Sequence, residues 1–104
     1  MRPPRAPDLI VEITLVLNLE RGRWSGWRPS NDFGLPYYND AHIEFSDGVV
    51  HPGEMGRAEL WLLAPELQMG RLKEGFSFTL HEGSQIVADG VIVQVIRTDL
   101  LAGS

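Results

Sequence analysis

The sequence predicts an all-β domain, closed as an antiparallel barrel or stacked as a sandwich. Three observations predict it. In residues 76–81, apolar Phe76, Phe78 and Leu80 alternate with Ser77, Thr79 and His81, the period of a half-buried strand. Glu82-Gly83-Ser84-Gln85 then breaks the run, Gly83 supplying a positive φ, and β-branched residues resume at Ile86 and Val87, which together read as a long hairpin. Short strand-like runs with turn signals between them recur along the rest of the chain, the spacing of a barrel or sandwich.

Taken in order, residues 1–7 hold three prolines, which lock φ and lack donors, so they form an extended, flexible lead-in. The domain is expected over residues 8–98, with a tail at 99–104. Residues 9–19 read as a strand, rich in Ile, Val and Leu, with Glu12 and Thr14 on one face. Residues 20–36 mix Gly22, Gly26, Pro29, Gly34 and Pro36 with Trp24, Trp27 and Phe33, too many breakers for a helix and too many large aromatics for a solvated loop. Residues 41–45 alternate as a short strand, Ser46-Asp47-Gly48 turns the chain, and Val49-Val50 resumes it. His51-Pro52-Gly53-Glu54 makes a second turn. Residues 57–63 set Ala58, Leu60 and Leu62 against Glu59 and Trp61, and residues 64–75 form a connection. In the return strand of the hairpin, Asp89-Gly90 marks a bulge, and the apolar residues 91–96 are expected to be buried on both faces.

Composition narrows the function. At 104 residues, 43% hydrophobic and 22% charged, the chain matches one small globular domain. The absence of cysteine excludes disulfides, thiolate ligands and a Cys nucleophile. Neither a membrane-spanning apolar run nor a signal-peptide core is present, so the cytoplasm is the expected compartment and no membrane partner is expected. The formal charge of −5 opposes nucleic acid and anionic lipid at long range. His42, His51 and His81 lack the spacing that puts two ligands on one helical face, so no metal or other cofactor is expected. Asp32, Asp40, Glu44 and Asp47 read as a solvated acidic rim rather than a catalytic pair. Ser25 lies outside any Gly-x-Ser-x-Gly pattern. The chain is therefore read as non-enzymatic.

Four motifs in order add a resemblance. Gly26-Trp27-Arg28-Pro29, Pro52-Gly53-Glu54, Pro65, and Gly75-x-x-Phe78-x-x-x-Glu82-Gly83 running on to Gly90-Val91-Ile92 resemble the C-terminal β-barrel, the third domain, of elongation factor Tu. The resemblance spans roughly residues 10–96 and implies a six-stranded antiparallel closed barrel. No Gly-x-x-x-x-Gly-Lys-[Ser/Thr] occurs and no counterpart of the GTP-binding domain or second barrel is recognisable, so GTP hydrolysis is not implied. In the full-length factor this barrel packs on the GTP-binding domain and contacts the T stem of aminoacyl-tRNA, partly through a Glu-Gly-Gly-Arg hairpin. Here Glu82, Gly83 and Gln85 occupy that hairpin. Ser84 and Gln85 replace the second glycine and the arginine, removing the charge that would pair with phosphate, and Ser30 replaces the glutamine after the family's Gly-Tyr-Arg-Pro segment.

Trp24, Trp27, Tyr37 and Tyr38, beside Arg23 and Arg28, have the composition of a protein-binding hot spot. The same mixture stacks bases, but a single-strand binder adds a basic groove that the charge of −5 opposes. The expected function is a non-catalytic protein-binding module with Trp24, Trp27, Arg28, Tyr37 and Tyr38 at the partner. Size and acidity suit a bacterial accessory, inhibitor or immunity protein. A translation-linked module with a weak tRNA or ribosome-associated contact is the second reading.

Overall fold

A computed structural model describes residues 2–103; Met1 and Ser104, the outermost residues of the expected lead-in and tail, lie outside the described residues. The strands are β1 (Leu9–Leu15), β2 (Arg23–Trp24), β3 (Ser30–Asp32), β4 (Asn39–Phe45), β5 (Val49–Val50), β6 (Met55–Leu62), β7 (Ser77–Glu82) and β8 (Gln85–Val95). Six of them close in the order β1-β6-β4-β3-β7-β8, every neighbouring pair antiparallel. The fold is a closed barrel, and the sandwich is excluded. β2 and β5 pair separately as a two-stranded ribbon. Among the described residues the helical segments are 3-10 turns at Pro65–Gln68 and Thr98–Leu100, and no helix is long and apolar enough to cross a membrane.

Alternation builds the interior. Leu9, Val11, Ile13 and Leu15 of β1 point inward with Ala58, Leu60 and Leu62 of β6, Ala41, Ile43 and Phe45 of β4, and Phe78 and Leu80 of β7. β1 is shorter than expected. The apolar run continues through Val16 and Leu17, but Gly53 N donates to Leu15 O at 3.0 Å and the chain turns at Leu17-Asn18, leaving Leu17 in solvent.

β8 is the longest strand and carries two irregularities. Leu80 pairs with Ala88 while His81 pairs with Ile86, and Ile10 pairs with Gln94 while Val11 pairs with Ile92. Val87 and Val93 are thus the extra residues, and bulges of this kind bend and twist a strand so that a sheet can close. Gly90, the expected bulge, is instead paired in register with both Phe78 and Ile13. Its role is close approach. A Cβ there would sit 2.4 Å from Phe78 Cζ and under 3 Å from both ε carbons of the ring. Gly90→Ala is therefore expected to cost about 1–3 kcal/mol as overpacking; an unchanged urea midpoint would show that the Phe78 ring moves aside freely. The expected two-sided burial of residues 91–96 is also corrected. Ile92 and Val95 are interior, but Val91 and Gln94 face solvent because only one face of a closed barrel is inside.

The described segments before β1 and after β8 are both tied to the barrel. Leu72 N donates to Leu100 O and Ala102 N to Leu72 O, both at 2.8 Å, so Leu100 enters the core beyond the boundary expected at residue 98. At the other end Trp61 points outward from β6 yet is only 1% exposed. The arm before β1 covers it: Trp61 Nε1 donates to Arg5 O at 2.7 Å, Arg2 lies 5.2 Å over the ring, and Arg5 donates to Asp8 and to Leu62 O. Residues 2–7 are a docked strap where a flexible lead-in was expected, because this apolar ring needs a cover.

Candidate functional site

The hairpin between β7 and β8 turns on Gly83-Ser84, with Gly83 at φ +60° and Glu82 paired to Gln85, the geometry of a two-residue turn with glycine first. This brings Glu82 to the barrel's rim, where β2 meets it. Arg23 donates to Glu82 through Nε at 2.7 Å and Nη2 at 2.8 Å, a forked pair, and Trp27 Nε1 donates to the same carboxylate at 2.8 Å. Arg23 is itself oriented by donating through Nη1 to the carbonyls of Arg21 and Gly22. Trp27 is placed from below: its ring stacks on Phe45 with centroids 6.2 Å apart, and it bridges Ile43 where β3 has not yet begun.

The hydrogen bonds from Arg23, then that from Trp27 and the Arg23 charge, hold the Glu82 carboxyl below its ordinary range; the same contact raises Arg23. Because the folded value of Glu82 is depressed, its contribution to stability is present above the unfolded value of about 4.3 and is lost as pH falls through the folded value. Arg23, raised by the same contact, stays charged across the pH 7 to 3 range of the melts below. The pair is part-exposed, so Glu82→Gln is expected to lower stability by no more than about 1 kcal/mol at pH 7. That difference should shrink toward zero below about pH 4. Parallel thermal melts of parent and variant from pH 7 to 3 check this, and a constant gap would contradict it.

Trp24 stands on the ribbon, paired with Val49, and is 55% exposed. Gly22 lets the ribbon lie close, since a Cβ there would be 2.5 Å from Val50 O. Glu20, Arg21, Gly22, Arg23, Trp24 and Glu82 border an open recess of about 540 Å³. The expected site residues are thereby partly gathered and partly separated. Trp24, Trp27 and Glu82 share one rim. Tyr38 flanks it from the outer wall, its ring 4.5 Å from that of His81, the residue before Glu82. Tyr37 lies at the far end of β3, exposed in the loop that leads to β4. Arg28 faces outward beside His42 and borders a different recess. Gly83 lies in the hairpin turn and Gln85 pairs with Glu82 at its base, where the Glu82 carboxylate is already occupied by Arg23 and Trp27.

The clamp on Glu82 and the part played by Glu20 and Arg21 were not foreseen, because the partners are up to 59 residues apart and no spacing encodes them. The acids considered for chemistry are held singly. Asp32 accepts from Gly34 N, Asp40 from Ser30 Oγ, and Glu44 meets His42, while Asp47 sits in the exposed β4–β5 turn. Ser25 is bonded to the backbone of Phe45. Among the described residues no group of three or more His, Cys, Asp or Glu is placed to hold a metal ion. No protein-family model and no curated protein matches this chain.

Proposed function

We propose that this barrel is a non-catalytic protein-binding module whose docking rim is the Trp24 ribbon and its Arg23–Glu82–Trp27 clamp. The observation that carries it is a half-exposed tryptophan on a ribbon held in place by a forked ion pair and an indole hydrogen bond. Large amphipathic rings dominate binding energy at protein interfaces, and rigid presentation lowers the ordering cost of association. The six-stranded closed barrel, its Pro52-Gly53-Glu54 turn before β6 and its Glu82-Gly83 hairpin support kinship with the third domain of elongation factor Tu. A bacterial accessory, inhibitor or immunity protein is the setting that fits the size and acidity. The tRNA reading is weaker here, since Glu82 is spent on Arg23 and Trp27 and the tip carries no cation.

The test is affinity capture from native bacterial cytoplasm, with and without ribonuclease, at physiological salt. A protein partner that survives ribonuclease supports the reading. Loss of all bound material after ribonuclease, or submicromolar and salt-resistant binding of aminoacyl-tRNA, would replace it with the translation-linked one, because contacts made only to phosphate weaken steeply with salt.

A further inference from the structure

The largest fully buried side chain of the barrel, Trp61, lies on its outside, closed by the arm of residues 2–7. That cover is lightly built. None of residues 2–7 is itself buried, and among the described residues no backbone–backbone hydrogen bond ties them to a strand. Firm anchorage begins at Asp8, whose N donates to Leu60 O at 2.9 Å and whose carboxylate accepts from Leu62 N at 2.7 Å. Ahead of Asp8 the arm is held by side chains. Trp61 Nε1 donates to Arg5 O, and the exposed Arg2 pairs with Glu59 at 2.8 Å while lying over the indole ring. Arg5 donates to Asp8 and to Leu62 O. Exposed ion pairs and cation–π contacts each contribute little, so the arm belongs to the low end of local stability, and each time it lifts Trp61 is bared.

The seated arm also reveals what this face recognises. Residues 2–5 read Arg-Pro-Pro-Arg, and each guanidinium meets an acceptor, Arg2 at Glu59 and Arg5 at Asp8 and the Leu62 carbonyl. The indole offers its face to a cation and its N–H to a carbonyl. Prolines fix φ in such a segment, so little chain entropy is lost when it docks. We propose that the arm is a built-in competitor, and that the outer face of β6 around Trp61 docks a proline- and arginine-rich segment of a partner protein in its place. One arginine of that segment stacks on Trp61 and pairs with Glu59, a backbone carbonyl accepts from the indole, and a second arginine reaches Asp8 and the Leu62 carbonyl. The formal charge of −5 favours a basic partner. Tethered beside its site, the arm competes at an effective concentration on the order of millimolar, which closes the face to weak binders. This surface is separate from the Trp24 rim.

The probe is the peptide Arg-Pro-Pro-Arg-Ala-Pro, blocked at both ends, titrated into the full chain and into its Arg2→Glu variant. Arg2→Glu is an exposed change that removes the stacked guanidinium and sets like charge against Glu59, so it loosens the arm and should melt near the parent. The variant is expected to bind the peptide saturably, and the parent about tenfold or more weakly because its arm still competes. In heteronuclear NMR spectra the Trp61 indole N–H, identified by Trp61→Phe, should shift on titration while those of Trp24 and Trp27 stay in place. A peptide with glutamate at both arginine positions should not bind. Equal affinity for parent and variant, binding of the glutamate peptide, shifts confined to Trp24 or Trp27, or no saturation of the variant at millimolar peptide would each overturn the proposal. Dimerisation of the parent with rising concentration, accompanied by a shift at Trp61, would also overturn it by giving the face to the arm of a second copy.

Discussion

Phe33→Ala is expected to remove about 3–5 kcal/mol of stability, a large part of what a domain of this size possesses. Phe33 belongs to no strand. It lies in the loop between β3 and β4 and is 1% exposed, with its ring 4.8 Å from Phe78 and 6.3 Å from Phe76. The barrel's end is closed by this ring together with Leu72 and Leu100, all three outside the strands and buried. Truncation to alanine leaves a cavity that the surrounding strands, fixed by their ladders, fill only in part. For a domain near 100 residues this corresponds to a drop in Tm of more than about 10 °C, read by circular dichroism. A drop of under about 4 °C, near 1 kcal/mol, would mean that the ring is not packed in the barrel mouth.

Phe33 also shows where sequence reading stops. The strands that obey alternation, β1, β4, β6 and β7, were legible because each has one face inside and one outside. β3 was not. Its Ser30-Asn31-Asp32 is polar throughout, and the inward residue is Asn31, fully buried because its Nδ2 donates to the carbonyls of Pro29 and Asn39. A strand whose inward residue is a buried amide, its Nδ2 held by backbone carbonyls and its Oδ1 left without a partner, carries no apolar signal. β2 was hidden in the same way, two residues long and defined only by its pairing to β5.

The candidate rim was half legible. Residue types marked Trp24 and Trp27 as unusual, and the hairpin pattern marked Glu82, but only the folded chain joins them, since Arg23 and Glu82 meet across 59 residues. Composition likewise grouped Arg28 and Tyr37 with the tryptophans, although the direction of each side chain is set by strand parity and loop position. Pairing of Trp27 with Ile43 turns Arg28 to the outer face beside His42.

Trp24 and Trp27 are therefore expected to respond differently to truncation. Trp27 rests on Phe45 and donates to Glu82, so Trp27→Ala should destabilise the barrel by roughly 1.5–3 kcal/mol as buried apolar surface is lost. Trp24 has most of its ring in solvent, so its removal should spare the fold and remove binding. A hot-spot ring of this kind contributes about 2 kcal/mol or more to an interface, close to thirtyfold in Kd. The deciding measurement is the Kd of Trp24→Ala for the captured protein partner, taken beside its Tm. A Kd raised about thirtyfold with a Tm within about 2 °C of the parent is the expected result. A Kd equal to the parent's would contradict a docking rim built on Trp24.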